Sequence, residues 1–400
     1  MEYGTIPPIG SIDVVLIGID SLQGLQAARI LKNHGLRVVA IAADARHPYC
    51  TTSRVEKVVH VPSVGPELLD VLLGDGSDPS GDDDRPVLLA CQDKSVRFLS
   101  KYRDRLSVRY RFSLPPASSI RTLMDKASFL EFASGSGIRV PDYAIVRNEA
   151  DLERAAAELG FPCIYKPSIR GEAWDAHSTL KVLTAQTPDE LRDIHRRCSG
   201  WADAFIAQTL IPGGDDCLYS FNGYFDAHGT ALTTFVARKL RQWPPGAGSS
   251  CLGEEVRDDD LLGMALELFA SLPYQGLAYL ETKRHPDTGQ HYAIEANVGR
   301  PTGRSAIAEA GGVELLHTMY CDVVGLPLPN RREQTYGTIK WIDVRHDLQS
   351  AFRMWRAGDL SMSEWARSYR GPKQYAIASW RDPAPFVHDL IGSVRKTLSG

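Results

Sequence analysis

The reading turns on one stretch, Leu280-Glu281-Thr-Lys-Arg-His-Pro-Asp-Thr-Gly-Gln-His-Tyr-Ala-Ile-Glu295-Ala-Asn297. An apolar run leading into Glu281, the turn residues Pro286, Asp287, Thr288 and Gly289, and a second run from Tyr292 to Ala296 predict two strands folded back on each other. Strand alternation then carries Glu281 and Glu295 side by side and sets Asn297 on the face of Glu295. Two carboxylates and an amide oxygen facing one point make a hard-oxygen site, better suited to Mg²⁺ bridging nucleotide phosphates than to zinc. A solvated hairpin with ordinary surface acids is the competing reading. Against it, Glu295 sits between Ile294 and Ala296, where the chain looks buried, and a buried carboxylate needs a partner or a cation.

Working outward, Asp260 to Leu272 reads as a helix, and Tyr219 to Arg238 as a hairpin turning at Asp226-Ala-His-Gly229. The middle of the chain predicts a helix from Glu149 to Gly160 and short strands at Cys163 to Lys166, Leu180 to Leu183 and Phe205 to Leu210. A helix over Thr187 to Cys198 lies between the last two strands. Ser118 to Gly137 reads as two helical pieces. At the front, Val14-Val-Leu-Ile-Gly-Ile-Asp20, Val38 to Ala42, Val58 to Val61 and Val87 to Ala90 are short apolar strands of the kind buried in a parallel sheet, alternating with helices at Leu25 to His34, Glu67 to Leu73 and Lys94 to Tyr102. This is an open α/β unit. It lacks the dinucleotide fingerprint, because Gly18 is followed by Ile19, Asp20, Ser21, Leu22 and Gln23 before Gly24. Residues 74 to 85, rich in Gly, Asp, Ser and Pro, read as a flexible loop.

Composition narrows the function class. A chain of 400 residues and 44.1 kDa is too long for one simple core, so two or three packed domains are expected. Hydrophobic residues at 43% and charged residues at 24% are those of a soluble globular chain, and no apolar run approaches a bilayer span. Lys+Arg 45 against Asp+Glu 49 leaves −4, with no polybasic block to hold a nucleic-acid backbone. Seven scattered cysteines without C-x-x-C spacing read as reduced thiols, and the N-terminus lacks the features of a secretory signal, which points to the cytoplasm.

A second constellation is positive. Lys126 stands at a helix start in Met-Asp-Lys-Ala, and Lys166 ends the strand Cys-Ile-Tyr-Lys before Pro-Ser-Ile-Arg-Gly171, a loop whose backbone N–H groups could hold phosphate oxygens. Taken alone, Lys166 reads rather as a lysine snorkelling from a sheet rim. His177, His228 and His285 lie in polar surroundings without the partners of a zinc pair. Trp174, Trp243 and the tail tryptophans read as packing groups, and Cys163 and Cys251 lack a neighbouring base.

The order of these pieces resembles the ATP-grasp superfamily: Asp125-Lys126, then Phe-Pro-Cys-Ile-Tyr-Lys166-Pro, then Phe-Ile-Ala-Gln208-Thr-Leu-Ile-Pro-Gly213, then Glu281 and Ile-Glu295-Ala-Asn297. Arg54 to Pro62, Ala237-Arg-Lys-Leu-Arg-Gln-Trp-Pro-Pro245 and Trp341 with Arg345 and Asp347 resemble its predicted carboxylate-amine ligases, the group that includes D-aspartate ligases. The resemblance implies an α/β ATP-grasp fold with an N-terminal open α/β (pre-ATP-grasp) domain over 1–117, a central ATP lid over 118–212, an α+β catalytic region over 213–330 and an extension over 331–400.

By the same resemblance, Lys126 and Lys166 hold ATP phosphates, and Gln208, Thr209, Leu210 and Ile211 form the adenine hinge. Asp215 or Asp216 takes the ribose. Glu281, Glu295 and Asn297 ligate Mg²⁺, with Mn²⁺ as a substitute. Arg238, Lys239 and either Arg300 or Arg304 stand at the transferred phosphate. The departures are Thr209, where the hinge usually carries Glu, and Asn297-Val-Gly-Arg300, where the motif usually runs Asn-Pro-Arg. The implied activity is an ATP-dependent ligase that turns a carboxylate into an acyl phosphate and joins it to an amine. The alternatives are a phosphotransferase, or a nucleotide-binding regulatory protein without turnover. The expected partners are a small-molecule carboxylate and amine, among them amino acids or a peptide, with no nucleic acid, no membrane and room for a homodimer. Gln242 to Gly253 shows no periodicity and is expected to be a mobile loop that orders over the substrates.

Overall fold

The computed structural model describes residues 5–74, 85–169, 171–178, 180–246 and 248–399. Most of the acidic loop read at 74 to 85, together with Arg170 and Ala247, lies outside the described residues. The front of the chain forms a parallel sheet of β1 (Val14–Ile17), β2 (Val38–Ala42), β3 (Lys57–His60) and β4 (Val87–Ala90), in the order β3-β2-β1-β4. β1, β2 and β4 are buried along their whole length, as continuous Val/Ile/Leu runs require when both faces are covered. The helix Leu22–Asn33 packs so closely on the first turn that a Cβ at Gly24 would lie 2.1 Å from the Gly18 carbonyl oxygen.

A second, antiparallel sheet holds β5 (Tyr143–Val146), β6 (Cys163–Pro167), β7 (Leu183–Ala185) and β8 (Phe205–Thr209), in the order β5-β8-β6-β7. It has a core of its own, built on one face from Tyr165, Trp174, Phe205, Ala207 and the helices Glu149–Glu158 and Pro188–Cys198. The strand expected at Leu180 to Leu183 begins only at Leu183, because the preceding segment instead hydrogen-bonds locally, with the Leu180 carbonyl accepting from the Trp174 indole and its N–H donating to Ser178 Oγ.

The third sheet has seven strands: β9 (Leu218–Phe225), β10 (Ala231–Trp243), β11 (Ser249–Glu255), β12 (Gly276–Arg284), β13 (His291–Val298), β14 (Lys340–Ile342) and β15 (Lys373–Tyr375), in the order β13-β12-β9-β10-β11-β14-β15. Gln242 to Gly253 is not an unstructured loop: β10 runs to Trp243 and β11 starts at Ser249, leaving only 244–248 as the connection. Register shifts on either side of Arg241 break the alternation, which is why the segment carries no visible period. The tail after residue 330 is likewise part of the large sheet, since β14 pairs with β11 and β15 with β14.

Two buried contacts fasten that tail. Asp347, in the helix Val344–Ala357, accepts from Arg241 Nε at 2.7 Å and Nη2 at 3.0 Å, and also from the Tyr369 hydroxyl. Arg241 and Asp347 side chains are 3% and 0% exposed. Further on, Asp382 accepts from Arg29 Nε at 2.8 Å, Thr52 Oγ1 at 2.7 Å and the Ser53 N–H at 2.9 Å, buttoning the tail to the N-terminal unit. Among the described residues no helix is long and apolar enough to cross a membrane. Asp347→Ala leaves a buried guanidinium without its counter-charge and is expected to cost about 3–5 kcal/mol of stability, read as a lower denaturation midpoint. An unchanged midpoint would show that the pair does not hold the tail in place.

Candidate active site

Glu281 and Glu295 are direct partners across β12 and β13, and Asn297 pairs with Tyr279 one step along the same face. A bulge after Glu281 makes Thr282 pair with Ala293, so Ile294 is skipped and the two acids stay on one rung. Like charges placed opposite each other in a sheet repel, and the structure surrounds them with donors. Lys239 Nζ lies 3.6 Å from Glu281 Oε2, and the Tyr279 hydroxyl donates to the same oxygen at 2.8 Å. Burial works against the Glu281 carboxylate, yet Lys239, Arg304 and Tyr279 hold its pKa below the usual range. Burial in turn pushes Lys239 down, with Glu281 pulling the other way.

The two candidate arginines divide their work. Arg304 is buried, donates to Ser220 Oγ and acts electrostatically on Glu281. Arg300 donates to the Asn297 amide oxygen and forms an ion pair with Asp93 of the N-terminal unit. Arg238 does not join them. It pairs with Tyr219, whereas Glu281 pairs with Ser220, so alternation turns Arg238 to the opposite face, where it meets Glu254 at 2.6 Å.

The second sheet supplies the other wall. Ile164 pairs with Gln208, and Lys166 with Ile206, so Gln208 and Lys166 share the face opposite the Trp174 core. Burial pushes Lys166 down to about 8, with Lys126 adding to the shift and Glu295 and Glu281 opposing it. The lysine of one sheet and the acids of the other thus act on each other. Asp125 sets the two lysines together: it caps the helix Lys126–Gly135 by accepting from the Ser128 N–H at 2.8 Å and accepts from Ser168 Oγ at 2.9 Å. The Ser168 N–H, expected to be open to phosphate, already donates to the Ala204 carbonyl.

At the hinge, the buried Gln208 Oε1 has no hydrogen-bond partner among the described residues, and the N–H groups of Thr209 and Leu210 donate to the carbonyls of Asp142 and Pro162. Thr209 turns towards the Trp174 core, which accounts for a small residue there. Asp215 is buried and accepts from Gln242 Nε2 at 2.7 Å and the Gly246 N–H at 3.1 Å, so it clamps the β10–β11 connection. Asp216 is exposed beside it.

Sequence reasoning missed Tyr279 and Lys181. Tyr279, two residues from Glu281 on the same strand, carried a usable signal. Lys181, which bears on Glu281 and donates to the Gly248 carbonyl at 3.3 Å, carried none. The surveyed histidines serve structure: His177 stacks on Trp201 at 4.9 Å, the His228 N–H donates to Asp226 in its turn, and His285 Nδ1 accepts the Asp287 N–H. Cys163 and Cys251 are buried, and burial pushes both thiols up. Trp174 and Trp341 are core groups. Trp355 and Trp380, also expected to pack, are exposed.

No family model matches the chain. N5-carboxyaminoimidazole synthetase from Staphylococcus aureus superposes with a TM-score of 0.62 at 16% identity, over 82% of this chain and 81% of that one. Biotin carboxylase from Campylobacter jejuni, solved as a β-γ-ATP complex, gives 0.62 at 14% identity, over 80% and 73%. The chain has the ATP-grasp fold. Its sequence likeness runs to ligases of that fold. D-aspartate ligase from Enterococcus faecium is 24% identical over 342 residues, which is 81% of this chain and 79% of the relative. D-alanine–D-alanine ligase from Methylococcus capsulatus is 33% identical over 90 residues, 22% of this chain and 27% of the relative.

A lysine in the position of Lys166 would hold a phosphate oxygen by a charge-assisted hydrogen bond only while charged. With its pKa near 8 it is cationic below that pH and neutral above, so ADP binding is expected to weaken above about pH 8, by up to about tenfold per pH unit. Lys166→Arg should flatten that profile. Titration calorimetry with ADP from pH 7 to about 9.5 reads it, and a flat profile in the parent would remove Lys166 from the phosphate site.

Proposed function

We propose that the protein is an ATP-dependent carboxylate–amine ligase working in the cytoplasm. The observation that carries the proposal is the rung of Glu281 and Glu295 with Asn297 beside it, faced by Lys239, Arg304 and the lid lysine Lys166. Two carboxylates and an amide oxygen fit Mg²⁺, which when bound neutralises charge on the phosphates. Lys126 and Lys166 hold phosphate oxygens, and the unpartnered Gln208 Oε1 offers an acceptor to the adenine amino group. Asp216, exposed and uncommitted to the clamp, is the better candidate for the ribose hydroxyls than Asp215.

A substrate carboxylate oxygen attacks the γ-phosphorus, and the bond to the ADP oxygen breaks. The amine nitrogen then attacks the acyl carbon, phosphate leaves with the bonding electrons, and the amine loses a proton. Lys239 and Arg304 stabilise the charge on the transferring phosphoryl group and on the acyl phosphate, while Arg300 positions Asn297. Likeness to a D-aspartate ligase supports an amino acid as one substrate.

Pairwise screening of carboxylates and amines for phosphate release tests the reading: ADP and phosphate should appear only when both are supplied. ADP release with the phosphate retained on a lone acceptor would make the protein a phosphotransferase instead. Within the site, Glu295→Gln should lower ligase turnover by about 10²-fold or more with the fold intact. Lys239→Ala should chiefly lower kcat, whereas Arg238→Ala, on the other face, should change kcat by less than about threefold. A larger loss for Arg238→Ala than for Lys239→Ala would reverse the assignment.

A further inference from the structure

A second cluster of ligand-type side chains shares no residue with the candidate active site. Among the described residues, His34, Glu314 and His317 bring their ligand atoms within 4.8 Å of one another. His34 closes the N-terminal helix Leu22–Asn33. Glu314 stands at the start of the helix Leu315–Val324, with His317 one turn in, so their i,i+3 spacing puts both on one face. The two imidazoles stack at 3.9 Å between centroids and 17° between planes. Glu314 Oε2 lies 3.0 Å from His317 Nδ1. On the other side Glu309 Oε2 lies 3.5 Å from His34 Nε2, while Glu309 Oε1 is buried and has no hydrogen-bond partner among the described residues.

Several features suit this set to a cation. Two imidazole nitrogens and a carboxylate are the donors of a zinc site and are poorly matched to Mg²⁺ or Ca²⁺, which take oxygen. Glu314 is fixed from behind: its N–H donates to the Arg331 carbonyl at 2.8 Å, and its far oxygen, Oε1, lies 3.6 Å from Arg331 Nη1, leaving Oε2 for the cluster. On the side of His34 and Glu309 the cluster borders a cavity of about 310 Å³, which Asn33, Ala306, Ala310 and Arg331 also line. The three ligands are half-buried, and closing them to the roughly 2.0–2.2 Å of zinc bonds requires the two stacked imidazoles to splay so that their in-plane lone pairs converge.

We propose that His34, Glu314 and His317, with Glu309 as the fourth group, form a binding site for a Zn²⁺-class divalent cation that clips the N-terminal helix to the helices behind the large sheet. The site spans two parts of the chain far apart in sequence, so an occupied site stabilises the folded chain and adds nothing to the unfolded one.

The test uses the full chain without nucleotide, in excess Mg²⁺ to fill hard-oxygen sites, titrated with Zn²⁺ alone and separately with Co²⁺ as a spectroscopic probe. One tight equivalent of Zn²⁺ should bind and raise Tm. Co²⁺ should give visible d–d bands without a thiolate charge-transfer band. Loss even of a group that only orients a metal ligand costs about 10–100-fold in affinity, so His34→Gln and His317→Ala should each weaken Zn²⁺ binding by at least about tenfold. If His317→Ala fails to fold, Glu314→Gln replaces it. Unchanged Zn²⁺ affinity in the folded variants, or a charge-transfer band that vanishes on Cys217→Ser or Cys50→Ser, would place the cation elsewhere and overturn the assignment.

Discussion

Glu281 and Glu295 occupy one rung of a sheet, and the architecture around them answers to the cost of holding two carboxylates there. Water would screen such a pair at a surface, but between two sheets screening is weak and compensation must come from fixed charge. Lys239 reaches across the intervening strand β9, Arg304 enters from the segment after β13, and Tyr279 donates from the same strand. Each of these groups would itself be costly to bury alone. The acids and cations are therefore mutually required.

The second sheet extends the same logic across a gap. Its apolar side packs its own core, and its other side carries Lys166, which burial leaves only weakly basic, together with Gln208 and its unmatched oxygen. A cation near the edge of deprotonation gains from an anionic group between the sheets, and an unmatched acceptor gains from a hydrogen-bond donor there. The sheet is nonetheless tied to the rest of the chain, because Ile206, on the face of Lys166, is buried in the same core as Phe221 and Leu280 of the large sheet.

Most of this framework was legible in the sequence. The apolar runs of β1, β2 and β4 and the pairing of Glu281 with Glu295 follow from local pattern, whereas grouping Lys126, Lys166 and Gln208 with those acids rests on the resemblance of their order to the ATP-grasp superfamily. The parts that were not legible share one cause, dependence on register or on distant residues. Bulges around Arg241 hid the β10–β11 hairpin, and the facing of Arg238 is decided by its partner on β9. Between Asp215 and Asp216 the sequence offers no choice, and only the contacts of Asp215 with Gln242 and Gly246, distant in the chain, separate the two. Glu314 and His317 meet a histidine some 280 residues away in the chain, a contact that no local pattern announces.

The two short strands of the tail have a further consequence. β11 has β10 on one side, and on the other only β14, itself a three-residue strand followed by the three-residue β15. A row of unpaired backbone N–H and C=O groups is a template for another chain, and short terminal strands blunt it. At that edge the sheet thus ends in strands too short to recruit a neighbour. A chain cut before Lys340 would expose the outer rim of β11, and its characteristic failure would be self-association along that rim.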